Sequence, residues 1–587
     1  MTYNLNLGNQ EPKKRIKTFA ALRKLLAILA DEKKYLVLAL TAIIVHSSLT
    51  LIGPLLIGHT IDTYIQTRQY QGVLVFSGIL LGMYLISLVT SYLQTKLMGG
   101  VGQRILYKLR NSVFNKLLEL PVAFFNENKA GDLISRINND TDKLNQFFSQ
   151  YLMQFVGGIF IMTGAGIFLL SINLPLGITA LSPAIVLLVF TRLVSPWVKK
   201  RNAASLASTG NLSAEIQESL TNFKVVLAFN RRNYFRERFN KVNGENFRLS
   251  VKAGKANNFF MPVYGFFAHI GQLIVLAFGI YLVSSGKFTI GLLISFFTYI
   301  MNFYNPLRQL AILWTNFQVA LAGWDRISFI LTLRTDLKTI LPASSPCDAA
   351  AVSFRNVTFG YQPGREVLHR INFELERGRT YAFVGPTGGG KTTTASLMAR
   401  LYDPVRGLVM LNGKDLRSIS PEERASKIGF ILQEPFLFNG TVRENILYGN
   451  DSYATLSNEQ LFEVLEQSGL DKLLLRFDEG FETKILGSGD TISLGQKQII
   501  AFMRAVLRKP EVLILDEATA NIDTVTEQQL ESILQKLPAD TTRIIIAHRL
   551  NTIENADEIF FVNGTRVVRA GTMENAVQLL MHDKRDS

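Results

Sequence analysis

Eight residues, Gly385, Pro386, Thr387, Gly388, Gly389, Gly390, Lys391 and Thr392, follow the apolar run Tyr381-Ala-Phe-Val384 and lead into a helix-like run from Thr393 to Leu401. Glycine, four residues, glycine, lysine, threonine is the spacing of a phosphate-binding loop. Glycines let backbone N–H groups close around phosphate oxygens, and the helix that follows aims its positive end at the same charge. On this reading Lys391 reaches the β- and γ-phosphates of ATP, and the Thr392 hydroxyl ligands a Mg²⁺ that bridges them. The competing reading is a structural glycine turn, and the lysine–threonine pair between strand and helix weighs against it.

Two further stretches suit the same chemistry. Val512-Leu-Ile-Leu515 reads as a buried strand that ends in Asp516 and Glu517, at the kind of strand tip where ligands of α/β sheets gather. Asp516 is suited to hold Mg²⁺ through water, and Glu517 to polarise the attacking water or accept its proton. Between the two motifs, Thr491-Ile-Ser-Leu-Gly-Gln-Lys-Gln498 precedes an amphipathic helix through Arg508. Ser493 is placed to cap that helix, whose end with Gly495 forms a second anion site. Two phosphate-binding helix ends in one small domain point to a dimer in which the second end serves a neighbour's nucleotide. Tyr361, closing Val357-Thr-Phe-Gly-Tyr361, offers a ring that could stack on adenine or pack in the core.

These elements need a scaffold, and the chain has more than one. At 587 residues it exceeds an ordinary domain. Its 48% hydrophobic content and mean hydropathy of +0.18 are high for a soluble enzyme with charged segments, so the apolar residues must be concentrated. They are: candidate membrane spans run over 35–57, 73–93, 151–172, 176–194, 259–283 and 290–312. The net charge of +15 could indicate nucleic acid, but basic residues crowd the long linkers, 97–150 and 199–255. The positive-inside rule puts those linkers in the cytoplasm and leaves no nucleic-acid partner to invoke. Their helical periodicity, with Leu109, Val113, Leu117 and Leu118, suggests membrane helices that continue into the cytoplasm and turn near Pro121–Phe125 and Leu220–Phe223.

The opening residues lack a cleavable-signal pattern, and 16–30 reads as an amphipathic helix at the cytoplasmic face. Within the spans, His46 and His269 stand without a carboxylate in the same span, which favours helix packing over a proton relay. Aromatics such as Tyr264, Phe266, Phe296, Tyr299 and Tyr304 could face a greasy substrate or simply neighbouring helices. The Ser/Pro-rich stretch around Cys347, the single cysteine, marks a linker, and beyond it short apolar strands alternate with helices. The expected organisation is a cytoplasmic or interfacial segment 1–34, an α-helical membrane domain 35–333 of about six transmembrane helices, a linker 334–350 and an α/β P-loop NTPase domain 351–587.

With these motifs in this order, over residues 16 to 580, the chain resembles a half-transporter of the ABC exporter family. The resemblance implies ATP-driven export across the cell membrane, with the nucleotide domain in the cytoplasm. It assigns Tyr361 to adenine stacking, Gly385 to Thr392 with Thr393 to the Walker A loop, and Gln433 to the Q-loop beside Mg²⁺. It makes Ser493, Gly495 and Gln496 the signature, Asp516 and Glu517 the Walker B pair, Asp523 the D-loop acid and His548 the switch histidine. It also likens Phe124–Phe125 and 220–229 to the loops that meet nucleotide domains. One departure is visible: Leu494 stands where the family signature has its first glycine, and the D-loop reads Ala520-Asn-Ile-Asp523. The implied partner is a second half-transporter, as homodimer or as the catalytic-glutamate-bearing member of a heterodimer. Sparse charge in the spans favours small amphipathic or lipid-like cargo in contact with membrane lipid. The rival reading is a nucleotide-gated channel or regulatory ABC subunit without vectorial transport, against which Glu517 and His548 argue.

Overall fold

The computed structural model describes residues 29–334, 337, 339–341, 350–362, 364–486, 492–516, 524–546, 555–563, 566–572, 574–576 and 578–579. The chain divides into two units, each packed mainly within itself. One comprises the described residues up to Leu118 together with Ala130–Leu333; the other comprises Glu119–Lys129 and the described residues from Arg334 onward. The first cytoplasmic turn, inside the span of residues expected to form the membrane domain, therefore packs with the C-terminal unit.

The first unit is helical. Its main elements are α1 (Lys33–Thr60) and α2 (Tyr70–Leu118). The turn α3 (Val122–Glu127), which belongs to the other unit, precedes the helical run α4 (Ala130–Ile172). Then come α5 (Leu174–Thr221), the short α6 (Phe223–Ala228), α7 (Arg232–Ser284) and α8 (Ile290–Thr332). Among the described residues, 6 helical segments are long and apolar enough to cross a membrane. At 1.5 Å per residue the 49-residue α2 is about 74 Å long, against a hydrocarbon core of about 30 Å. The helices thus run well past the spans, and they turn where prolines, asparagines and caps permit. Asn173 caps α5 by accepting from the Leu176 N–H at 3.1 Å, and Thr289 caps α8 through Leu292 at 3.3 Å.

The core of this unit decides the role of the span aromatics. Tyr264, Phe296, Tyr299 and Tyr304 are buried among Leu169, Leu187 and Val275, while Phe266 faces outward. The buried hydroxyls are satisfied by backbone of other helices: Tyr299 donates to the Leu51 carbonyl at 2.6 Å and Tyr304 to Ala180 at 3.1 Å. These rings pack helices. His46 Nδ1 lies 2.8 Å from the Ser87 hydroxyl on α2, and His269 Nδ1 lies 2.9 Å from Gln272 on its own helix, so both histidines are also engaged in helix structure.

The second unit carries twelve strands among its described residues. β1 (Ala350–Phe359), β2 (Leu368–Glu376), β4 (Arg406–Leu411) and β5 (Lys414–Asp415) form an antiparallel sheet in the order β2-β1-β4-β5. The larger sheet uses β3 (Thr380–Val384), β6 (Ile428–Ile431), β9 (Val512–Asp516), β10 (Thr542–Ile546), β11 (Glu558–Asn563) and β12 (Arg566–Arg569) in the order β12-β11-β3-β10-β9-β6. All neighbours in it are parallel except β11 and β12. β7 (Gly440–Thr441) pairs with β8 (Lys484–Ile485). Phe354, Phe373, Phe383 and Phe560 join the two large sheets in one core, to which α9 (Lys391–Met398) adds Ala395, Leu397 and Met398. A second cluster, with Leu461, Leu465, Phe477 and Met503, joins a helical region that includes α10 (Leu494–Leu507) to the other side of β9.

Candidate nucleotide site

The parallel strands end along one edge, and the sequence motifs begin there. Every residue of β3 is buried, which follows from an apolar strand covered on both faces. The chain leaves it at Gly385, whose φ is 149° and whose hypothetical Cβ would sit 1.9 Å from the Val562 carbonyl oxygen. No side chain fits that close approach of loop to strand. Gly390 performs the other turn: it is the N-cap of α9 with φ 101°, and a Cβ there would press on Leu368 at 2.8 Å.

Lys391 opens α9 and is buried. Its ammonium donates to the carbonyls of Gly385 at 2.8 Å and Pro386 at 3.0 Å, so it spans the mouth of the loop it belongs to. A polyphosphate offers the same ammonium charged acceptors, which make stronger hydrogen bonds than carbonyls do. Next to it, the Thr392 hydroxyl donates to the Asp516 carboxylate at 3.3 Å. Asp516 is buried at the end of β9. Gln433 follows β6 by two residues and is exposed, one strand over from β9, where Ile431 pairs in register with Leu515. Thr392, Asp516 and Gln433 supply only oxygen-bearing groups, the donor type a hard cation such as Mg²⁺ takes.

Tyr361 lies just beyond β1. Its hydroxyl is 3.0 Å from that of Thr393, and its ring, 47% exposed with its residue, meets Phe359 and Tyr402 edge-on at 5.0 Å and 5.2 Å. The ring is thereby held from the side and at its tip while a face stays accessible.

The second helix end is fully capped. Ser493 accepts from the Gln496 N–H at 3.1 Å, and the Gln496 side chain accepts from the Ser493 N–H at 2.8 Å. Gln496 also donates to the Arg476 carbonyl at 2.9 Å, so the reciprocal cap is anchored to the helical region. Leu494, the departure from the family signature, occupies the first helical position, 42% exposed, followed by Gly495. α10 packs in the helical cluster and α9 in the core of the sheets, so the two helix ends expected to bind phosphate belong to separate cores. Glu517, Asp523 and His548 lie outside the described residues; β9 and β10 are described up to Asp516 and Ile546.

Sequence reasoning did not single out Tyr402 or Asn126. The structure joins them: Asn126 on α3 donates to the Tyr402 hydroxyl at 2.7 Å. Pro121, Ala123 and Glu127 line one side of a cavity of about 680 Å³, with Phe359, Tyr361 and Tyr402 also on its wall. Burial pushes the Tyr402 hydroxyl above the ordinary phenol range, with the Asn126 hydrogen bond opposing that shift. An aromatic just past the end of α9 was the available signal, but no spacing rule connects residue 126 to residue 402.

A phosphate loop on a parallel α/β sheet, on one chain with six membrane-length helices, defines a membrane-embedded nucleotide-hydrolysing transporter. Residues 36–307 match the ABC transporter transmembrane region, and residues 368–520 match the family described as ABC transporter. The chain belongs to the ABC transporter family, as a multi-pass, ATP-binding half-transporter of the exporter type. It is 33% identical over 491 residues to the fatty acid ABC transporter ATP-binding/permease protein of Mycobacterium bovis, covering 84% of this chain and 77% of that one. It is 30% identical over 498 residues to the multidrug resistance ABC transporter ATP-binding and permease protein of Lactococcus lactis, covering 84% and 83% of the two chains. The structure superposes on that of a bacterial Atm1-family ABC exporter with ATP bound, with a TM-score of 0.78, 25% identity and 95% and 97% coverage.

Proposed function

We propose that this chain exports small amphipathic or apolar substrates, drug-like or lipid-like, across the cytoplasmic membrane by alternating access, as one of two half-transporters in a dimer. The observation that carries the reading is the capped end of α10, which sits in a different core from α9 and bears Ser493, Gly495 and Gln496. A site split between helix ends of this kind is completed by a second copy or a related chain. The relatives named for fatty acid and multidrug transport support the cargo class, as does the scarcity of charge in the spans.

In this reading Tyr361 stacks on adenine, and the loop from Gly385 to Thr392 with Thr393 holds the phosphates, Lys391 exchanging its carbonyl partners for phosphate oxygens. Thr392, Asp516 and Gln433 would hold Mg²⁺, which supplies charge neutralisation at the phosphates when bound. Glu517 positions and deprotonates the attacking water, and His548 contacts the γ-phosphate. Ser493, Gly495, Gln496 and Asp523 complete the partner's site. Binding of nucleotide favours the closed pair of nucleotide domains, and hydrolysis releases it, so access to the membrane cavity alternates. Leu494 places a bulky side chain beside a phosphate-facing helix end, so the second half-transporter is either another copy of this chain that tolerates the leucine or a different chain that supplies the better signature. The domain division 1–34, 35–333, 334–350 and 351–587 serves the same reading, with 119–129 acting from the membrane domain upon the nucleotide domain.

The direct test is ATP hydrolysis by this chain alone, reconstituted in lipid, beside its Glu517→Gln variant. Activity abolished by the substitution supports a working homodimer. A folded chain that binds ATP and stays idle directs the search to a partner chain, and a chain that binds no ATP overturns the site.

A further inference from the structure

The assigned ATP site accounts for Tyr361 but leaves the contacts around it unexplained. Its ring is fixed by three neighbours: Phe359 and Tyr402 meet it edge-on at interplanar angles of 85° and 86°, and Thr393 meets its hydroxyl. Phe359 belongs to β1 and Thr393 to α9, so both are held by regular structure. Tyr402 lies past the end of α9, and its hydroxyl is taken by Asn126 at 2.7 Å. That donor comes from the turn between two membrane-domain helices, separated from Tyr402 by 276 residues of chain. The turn is not loosely placed: Phe124 is fully buried, and Asn128, also buried, donates its amide to the Phe124 carbonyl at 2.7 Å.

We propose that Tyr402 is a positioning residue for adenine: through Asn126 it makes the set of the Tyr361 ring, and so the affinity for ATP, depend on engagement of the 119–129 turn. The inference rests on Tyr361 being the adenine platform. Physically, an edge-on aromatic neighbour restricts rotation of a half-exposed ring, and Tyr402 does so only while its own ring is held. With Asn126 engaged, the platform is formed before the nucleotide arrives, and the cost of ordering it on binding is reduced. Displacement of the turn releases Tyr402, and the platform then has to be ordered at the expense of affinity. The coupling is reciprocal, so adenine on Tyr361 favours the engaged turn to the same degree.

The test measures equilibrium binding of ATP and of inorganic tripolyphosphate to the full chain in detergent, for the unmodified protein and for Asn126→Ala, Tyr402→Phe, their combination and Tyr361→Ala. Tyr402→Phe keeps the ring and removes the hydroxyl; Asn126→Ala changes an exposed side chain, so folding is not at stake in either. The expected result is an ATP Kd raised by about three- to tenfold in each single variant, the range one hydrogen bond spans. The double variant should be no weaker than a single one, with tripolyphosphate binding and melting temperature unchanged. An unaltered ATP Kd in both single variants, or equal loss of ATP and tripolyphosphate, overturns the proposal. Tyr361→Ala separates the two readings: if it leaves ATP binding intact the adenine platform itself is wrong, whereas if it weakens ATP while Tyr402→Phe does not, only the role of Tyr402 is lost.

Discussion

The Asp62 carboxylate caps a helix it does not belong to: it accepts from the Gly291 backbone N–H at 2.8 Å and from the Thr289 hydroxyl at 2.5 Å. Asp62 lies in the π-helical turn that continues α1, and Gly291 lies in the first turn of α8, where negative charge is favourable. The two backbones nearly touch at this point, since a Cβ on Gly291 would come 2.0 Å from the Gly58 carbonyl oxygen. Ser295 continues the seam by donating to the Pro54 carbonyl at 2.7 Å, and Tyr299 does so through Leu51. Small residues and hydroxyl-to-carbonyl bonds are what hold helices together where water supplies no hydrophobic drive.

This seam lies at the helix ends opposite the basic linkers, the end that the proposed alternating-access cycle has to open. Asp62→Cys with Thr289→Cys, in a Cys347→Ser background, should be joined by a short thiol-reactive linker without nucleotide. Yield should fall when ATP and vanadate trap the closed nucleotide domains. Yield that does not respond to nucleotide would mean the seam stays shut through the cycle.

Arg326 and Asp140 form an ion pair in the helical extensions, with two contacts of 2.6 Å to an Asp140 side chain that is 5% exposed. Arg326→Ala should destabilise the membrane unit by roughly 2–3 kcal/mol, less than for a fully buried pair because Arg326 keeps contact with solvent. Asp140→Asn, which removes the charge left behind, should recover part of that loss in the double variant. Thermal unfolding in detergent reads both, and an Arg326→Ala chain as stable as the parent would show that Lys143, whose ammonium donates to Asp140 at 3.1 Å, alone satisfies that carboxylate.

Lys391→Ala should weaken ATP binding by about tenfold or more, the scale of a lost charge-assisted hydrogen bond. Thr392→Ala should instead raise the Mg²⁺ concentration needed for half-maximal hydrolysis while sparing metal-free ATP binding. Titrations of nucleotide with and without EDTA distinguish the two effects. Identical behaviour of both variants would contradict separate roles.

For Leu494→Gly the expected outcome is faster hydrolysis by the chain alone, severalfold in kcat, at a helix-propensity cost of about 1 kcal/mol or less at this first helical position. Glu517→Gln should lower kcat by about 100-fold or more and leave ATP binding intact, the range removal of a general base spans. Turnover in the Leu494→Gly chain that matches the parent would mean the leucine does not limit the site.

Much of the architecture was legible because it depends on local chemistry. Runs of apolar residues long enough for a bilayer, with basic linkers on one side, can be read without tertiary information, and the six helices fall where those runs do. The class of the C-terminal domain was equally readable from the order of strand, glycine loop and helix. The positions of Gly385 and Gly390 in that loop make sense once the backbone of Val562 and the side chain of Leu368 are seen against them, neighbours that the glycine spacing implied without naming.

What the sequence could not determine was which surfaces meet. Tyr264, Phe296, Tyr299 and Tyr304 had the composition of either a substrate wall or a packed seam, and only the partners of their hydroxyls and their burial assigned them to packing. The turn at 119–129 belongs by chain order to the membrane helices, yet it groups with the nucleotide unit, with Phe124 buried and Asn126 paired with Tyr402. Periodicity and spacing report interactions between residues a few positions apart. Asn126 with Tyr402, and Asp62 with Gly291, are joined across hundreds of residues, and such pairs exist only once the helices and sheets have packed.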